Sequence, residues 1–228
     1  PICVFETHEG RLFIFSNDLY YFDATNKRIV NTGVALENTA ITSVVKDSDD
    51  NVLIGTILNG IIRLDYNSTT KTYQRVDPGI INVTPNNRNY LFVDHNHHLW
   101  IGTELEGLYR YKPETNLLEH FLPDEMDDRT IRDRTIYSIY EDNTGVLWIG
   151  TFSQGLNKYD FYRKPFLHFR KIPYKKNSLS GDVISSIHGI NPKELWVGID
   201  VGGGVDRLIF SGDQEPKIIR YMYDPDDP

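Results

Sequence analysis

The sequence predicts an all-β fold, a β-propeller made of four-stranded antiparallel blades with about five blade units, and three observations lead there. The 3 tryptophans, Trp100, Trp148 and Trp196, each stand two residues before a glycine in LWIGT, LWIGT and LWVGI. Leu53-Ile54-Gly55-Thr56 keeps that frame with leucine for tryptophan, so the glycines recur at 55, 102, 150 and 198, spacings of 47, 48 and 48. A period in the forties marks stacked supersecondary units. Each period also divides into four short apolar runs parted by turn residues, the pattern of a meander of strands. Finally, aromatic residues make up 12% of the chain, which suits sheet faces that must fill the space between neighbouring blades.

The units follow in order. The first, about 1–34, is a degenerate copy with strands at 3–5, 12–15, 19–22 and 27–30, and Phe15 replaces its glycine. The second, about 35–80, places strands at 41–45, 52–56, 61–66 and 72–76, and the third, about 81–126, at 90–93, 99–103, 108–111 and 117–121. The fourth, about 127–175, is the clearest copy, with strands at 136–140, 146–151, 156–161 and 165–169 separated by Glu141-Asp142-Asn143-Thr144-Gly145 and Phe152-Ser153-Gln154-Gly155. The fifth, about 176–228, runs through 183–187, 195–199, 205–210 and 218–222.

The repeated residues have structural duties. Leu53 and the tryptophans alternate with Ile54, Ile101, Ile149 and Val197, so the second strand should bury both faces against the blades on either side. The glycine after them lets a neighbour approach the backbone closely. A second glycine, Gly60, Gly107 or Gly155, supplies the positive φ of the next turn, and Gly202-Gly203-Gly204 does so in the last unit with one extra residue. That run lacks the lysine and following helix of a phosphate loop.

Composition narrows the function classes. A net charge of -8 argues against a nucleic-acid backbone as partner. No run of about eighteen apolar residues suggests a membrane span, and the single Cys3 rules out an internal disulfide framework. His95, His97 and His98 share one tight turn beside Asp94, and Asp47-Ser48-Asp49-Asp50-Asn51 lacks the central glycine and distal glutamate of a calcium loop. The expectation is no metal and no cofactor.

The Trp-Gly frame, the second glycine and the Asp before the first turn (Asp47, Asp94, Asp142) carry a family resemblance. The chain resembles the two-component regulator propeller repeats of bacterial hybrid sensor histidine kinases, with EDNTGVLWIGTFSQGLNKYD at 141–160 the nearest copy. NSLSGDVISSI at 177–187 and YDPDDP at 223–228 are similar to the linkers between such repeats. The resemblance implies a periplasmic ligand-sensing region of an inner-membrane signalling protein that responds to an oligosaccharide, within a larger, seven-bladed propeller. Its implied partners are the remaining blades, a downstream β-sandwich and a second copy of the protein; kinase activity would lie elsewhere.

Antiparallel order puts the turn between second and third strands on the same face as the link to the next blade. That face offers Glu104, Glu106, Gln154 and Asp200 from turns, with Phe152 and Ser153 beside Gln154, and Arg88, Tyr90, Arg132 and Arg134 from links, with Asn86 before them. Planar polar groups of this kind bond sugar hydroxyls. Arg88 breaks a row otherwise held by Ile41, Ile136 and Ile184, so it either contacts an acidic ligand or pairs with Glu104 or Glu106. Arg129, Arg132 and Arg134 alternate with Asp127, Asp128 and Asp133, which reads as an anion site or a self-paired loop. No spacing marks a catalytic pair, and the inner row Ser43, Tyr90, Ser138, Ser186 is neutral. A channel-centred lyase or hydrolase and a non-binding scaffold or dimerisation propeller are the alternatives.

Overall fold

The computed structural model describes residues 3–6, 12–15, 18–24, 26–36, 40–57, 59–70, 72–81, 83–84, 87–127, 129–161, 166–191, 193–200, 204–211 and 215–222. Asn86, Asp128, Gly202, Gly203 and the 223–228 segment lie outside them. The described residues form five four-stranded sheets, each of consecutive strands, as the repeat predicts. The chain divides into two compact units, residues 1–101 with 110–118 and residues 102–109 with 119–228.

In the first unit, β1 (Cys3–Glu6), β2 (Leu12–Phe15), β3 (Asp18–Asp23) and β4 (Arg28–Ala35) make one sheet, and β5 (Ile41–Lys46), β6 (Val52–Thr56), β7 (Ile61–Asn67) and β8 (Thr72–Val76) make the next. Phe15 pairs with Cys3 across twelve residues just as Gly55 pairs with Ser43, so the first unit keeps the frame without its glycine. Phe13, Leu19, Leu36, Val52, Ile54, Ile62 and Leu64 form the core of these two sheets.

The third sheet, β9 (Asn89–Val93), β10 (Leu99–Thr103), β11 (Leu108–Lys112) and β12 (Leu117–Phe121), contributes residues to both units. The second unit adds β13 (Ile136–Glu141), β14 (Leu147–Thr151), β15 (Leu156–Tyr159) and β16 (Phe166–Phe169), then β17 (Ile184–Asn191), β18 (Glu194–Ile199), β19 (Gly204–Ile209) and β20 (Lys217–Tyr221). Trp148, Leu156, Leu179, Ile184, Leu195, Val197 and Leu208 lie in its core, so the Trp148 ring faces the following sheet. Burying an indole removes roughly 200 Å² from water, an upper bound of about 5 kcal/mol.

The glycine row works as expected, with its neighbour now identified. A Cβ on Gly102 would lie 2.6 Å from Ile136 Cγ2, and one on Gly150 would lie 2.6 Å from Ile184 Cγ2. Each isoleucine opens the first strand of the next sheet, just before a bulge that separates it from Ser138 or Ser186 in the pairing. Where Arg88 replaces isoleucine, the nearest neighbour of Gly55 is instead the Asn89 carbonyl, which also accepts the Thr42 hydroxyl. Gly60, Gly107 and Gly155 take φ of 66°, 81° and 72°, as their turns require.

One expectation needs correction. The second strand is buried on both faces in β6, β10 and β14, but β18 alternates between buried and half-buried residues. The half-buried positions are Glu194, Trp196 and Gly198, and among the described residues the Trp196 ring packs on its own sheet, stacking on Tyr221 at 5.3 Å under Arg207. The β17–β18 turn is also tighter than its counterparts, since Asn191 pairs directly with Glu194.

Candidate functional site

The Asp and Trp of the third and fourth repeats prove to be partners. Asp94 Oδ2 accepts the Trp100 indole N–H at 2.8 Å, and Asp142 Oδ2 accepts that of Trp148 at 2.8 Å. The other oxygen caps the turn: Asp142 Oδ1 takes the N–H groups of Thr144 and Val146, and Asp94 Oδ1 those of Asn96 and His98. In the fifth sheet the short turn leaves no such aspartate, and Glu194 receives Trp196 at 2.9 Å. A cation on the third strand lies over each ring, Arg110 at 5.1 Å, Lys158 at 5.6 Å and Arg207 at 5.5 Å. These residues hold the blade together and leave the opposite face to vary.

On that opposite face the last threonine of the frame fastens the turn. Thr103 Oγ1 donates to the Gly107 carbonyl at 2.8 Å and accepts the Glu106 N–H at 3.2 Å, and Thr151 repeats this with Gly155 and Gln154 at 2.8 and 3.1 Å. The link leaving the same blade is then pinned to the turn. Gly107 N–H donates to Arg134 O at 2.7 Å and Gly155 N–H to Asp182 O at 2.9 Å, while the link entering a blade is held to that blade's own turn by Phe152 N–H on Thr135 O and Asp200 N–H on Val183 O, both at 3.0 Å. Turns and links therefore share one face, as antiparallel order predicts.

The two links of the second unit are built alike. Ile131 and Leu179 are fully buried plugs. Beside them Arg132 N–H donates to Asn157 Oδ1 at 3.2 Å and Ser180 N–H to Asp206 Oδ2 at 2.6 Å, both acceptors being fully buried on the third strand of the following blade. Asn177 clasps the outer strand β20 through Pro216 O and Ile218 N–H. This gives the NSLS linker its structural meaning.

The candidate site residues fall into separate places. In the first unit, Arg88 Nη1 donates to the Tyr90 hydroxyl at 3.3 Å. In the second unit, Glu104 is half-buried and Glu106 exposed on a turn whose Leu105 N–H donates to Thr135 Oγ1 at 3.2 Å. His120 stacks on Tyr109 at 3.9 Å and its Nε2 donates to Glu106 O at 2.6 Å. Burial, with Glu106 second, pushes the Tyr109 hydroxyl above its ordinary pKa. Arg134 and Asp200 are exposed and contribute their backbone to the pinning.

Arg132 and Gln154 do come together. They line a cleft of about 550 Å³ with Asp124, Glu125, His168 and Arg170. No described residue forms an ion pair with Arg132 or Arg170; the loop pairing predicted from the alternating charges joins Arg129 to Asp127, at 2.9 and 3.1 Å. Those bonds hold the Asp127 carboxyl below the usual range. Asp133 turns away to accept the Ser153 N–H and hydroxyl at 2.7 and 2.9 Å. Exposed Phe152, edge-on to Tyr137 at 5.5 Å, stands on the same turn as Gln154. His168 and Arg170 lie outside the turns and links that antiparallel order points to; their signal is a polar alternation with Leu167 and Phe169 along the outer strand and the residue after it.

Comparisons agree with this construction. Residues 130–153 match the family model described as two component regulator propeller. Comparison with curated proteins gives no match. Among solved structures, the extracellular domain of a B. thetaiotaomicron protein described as a one-component system is 22% identical, with TM-score 0.64 over 90% of this chain and 27% of that one. The extracellular domain of a hybrid two-component system from the same organism is 18% identical, with TM-score 0.67 over 97% of this chain and 28% of that one. A streptogramin B lyase is 13% identical, with TM-score 0.63 over 97% of this chain and 68% of that one. With the Trp-Gly frame and the turn clasp recurring in register, residues 130–153 carry a repeat that matches the two component regulator propeller model, and the chain has the fold of the propeller structures it is similar to.

Proposed function

We infer that this chain is a ligand-sensing propeller of a two-component signalling protein, located outside the cytoplasm, and that its ligand is an oligosaccharide. One observation carries the reading. In the cleft of the second unit, the donor groups of Arg132 and Arg170 and the acceptors of Asp124 and Glu125 surround the Gln154 amide, which does both. A sugar hydroxyl also donates and accepts, so a row of them suits such a mixed lining better than a single-charge ligand does. The cleft lies on turns and links pinned to rigid strands, which is how a repeat fold presents a specific site.

Support for signalling comes from the repeat match and from neighbours described as extracellular domains of one- and two-component systems. No helix among the described residues is long and apolar enough to cross a membrane. Half-buried Trp196, covered among the described residues by Tyr221 and Arg207 of its own sheet, favours a further blade of the same protein as its partner. A β-sandwich and a second copy would relay the signal, and the ligand would shift that equilibrium by its differential affinity for the two states.

Calorimetric titration of the purified chain with a panel of oligosaccharides tests the reading. Saturable binding to one member, weakened at least tenfold by Arg132→Ala and Arg170→Ala, is expected; binding unchanged by both substitutions would move the site elsewhere. The lyase neighbour supplies a second reading on fold likeness alone. Product appearing during the same titrations would favour it.

A further inference from the structure

We propose that the seam between the second and third sheets is a binding site for a small planar heteroaromatic molecule with an N–H donor, indole being the simplest. The site is a consequence of one substitution in the repeat. Leu53 occupies the register position of Trp148: it pairs with Arg63 on β7 as Trp148 pairs with Lys158 on β15. The strand beside it is reduced too, with Val45 opposite Leu53 where Tyr140 stands opposite Trp148.

The groups that hold the indole elsewhere are nevertheless kept. Asp47 folds the same capped turn, its Oδ1 accepting the N–H groups of Asp49 at 2.9 Å and Asn51 at 3.0 Å. Among the described residues its Oδ2 takes only the Asn51 amide, at 3.0 Å, where Asp94 Oδ2 takes both Trp100 and His98. A carboxylate oxygen accepts two hydrogen bonds, so Asp47 retains the capacity that its counterparts spend on tryptophan. Arg63 holds the place of the cations that lie over the rings, and its Nε turns to Asp65 at 2.6 Å.

The neighbours have not closed over the missing ring. A cavity of about 170 Å³ remains, lined on its apolar sides by Leu53, Ile81, Val93, Leu99 and Tyr111, with Asp47 and Arg63 also in its wall. An apolar cavity of about 150 Å³ admits benzene. Here a carboxylate with spare acceptor capacity and a guanidinium select a ring with an N–H at one edge and a π face, for the same reasons that the sister blades hold their own tryptophans. This site is independent of the sugar-binding reading and lies in the other unit.

The test is titration of the whole chain with indole, followed by calorimetry and by heteronuclear NMR. Saturable binding with shifts at Leu53, Val93, Leu99 and Tyr111 is expected, and 1-methylindole, which lacks the donor, should bind about tenfold more weakly. Leu53→Trp should fill the seam and abolish binding; should that variant not fold, Leu53→Phe should weaken binding at least tenfold. Absence of saturable binding, equal affinity for 1-methylindole, or indole binding that survives the filling substitution would overturn the proposal.

Discussion

Replacing Gly150 by alanine tests the packing between blades at one atom. The new Cβ would stand 2.6 Å from Ile184 Cγ2 and 2.9 Å from Ile184 Cβ, roughly 1 Å inside ordinary contact. It would also meet the Ser138 hydroxyl, but that group can swing to another rotamer, whereas Ile184 is fully buried in the core of its own blade. Overpacking of this kind costs about 1–3 kcal/mol, and the reduced entropy of the unfolded chain returns about 0.4–1 kcal/mol. The net expectation is a loss of about 1–2 kcal/mol in urea unfolding. Gly198→Ala is the control, because the three nearest atoms to its Cβ are serine atoms of its own sheet. It should change stability by no more than about 0.5 kcal/mol. In Gly150→Ala/Ile184→Ala the alanine penalty should shrink, giving a coupling energy of about 1 kcal/mol. A neutral Gly150→Ala, or strict additivity with Ile184→Ala, would refute the assignment of Ile184 as the neighbour that requires glycine.

Trp148→Phe should cost about 1.5–3 kcal/mol in the same assay, since it removes the 2.8 Å bond to Asp142. Asp206→Ala leaves the buried Ser180 N–H without its 2.6 Å acceptor and should cost a similar 1.5–3 kcal/mol, while Asp206→Asn, which keeps an acceptor, should cost less. By NMR titration the Asp127 carboxyl should have its midpoint below the ordinary aspartate range, because of its bonds to Arg129, and Arg129→Ala should bring it back. The folded-state value is the depressed one, so the pair's contribution is present above the unfolded pKa and is lost as pH falls through the folded value.

The architecture was legible because packing between blades imposes one residue pattern on every unit. Trp100, Trp148 and Trp196 and the glycines after them mark the second strand, and the second glycines mark the turn. The Asp–Trp bond was less legible although both residues recur, because it depends on the capped turn folding the carboxylate back over the strand. The cations over the rings carried a signal of their own: Arg110 and Lys158 each come ten residues after the tryptophan and Arg207 eleven. The cleft was half legible. Arg132 and Gln154 were readable from the turn-and-link rule, whereas His168 reaches it from an outer strand and Arg170 from the residue just past that strand. Leu53 was visible as a departure, but whether its neighbours would collapse around it is a three-dimensional question.

On the proposed function, the varying face of turns and links binds ligand while the Trp-Gly frame holds the blades. Hydrogen–deuterium exchange of the chain with and without a binding oligosaccharide tests it most directly. Slowed exchange is expected over 123–134, 152–155 and 167–171, with the 142–149 turn and strand unchanged. Slowing confined to the 142–149 segment and its counterparts, with the cleft segments unaffected, would contradict it.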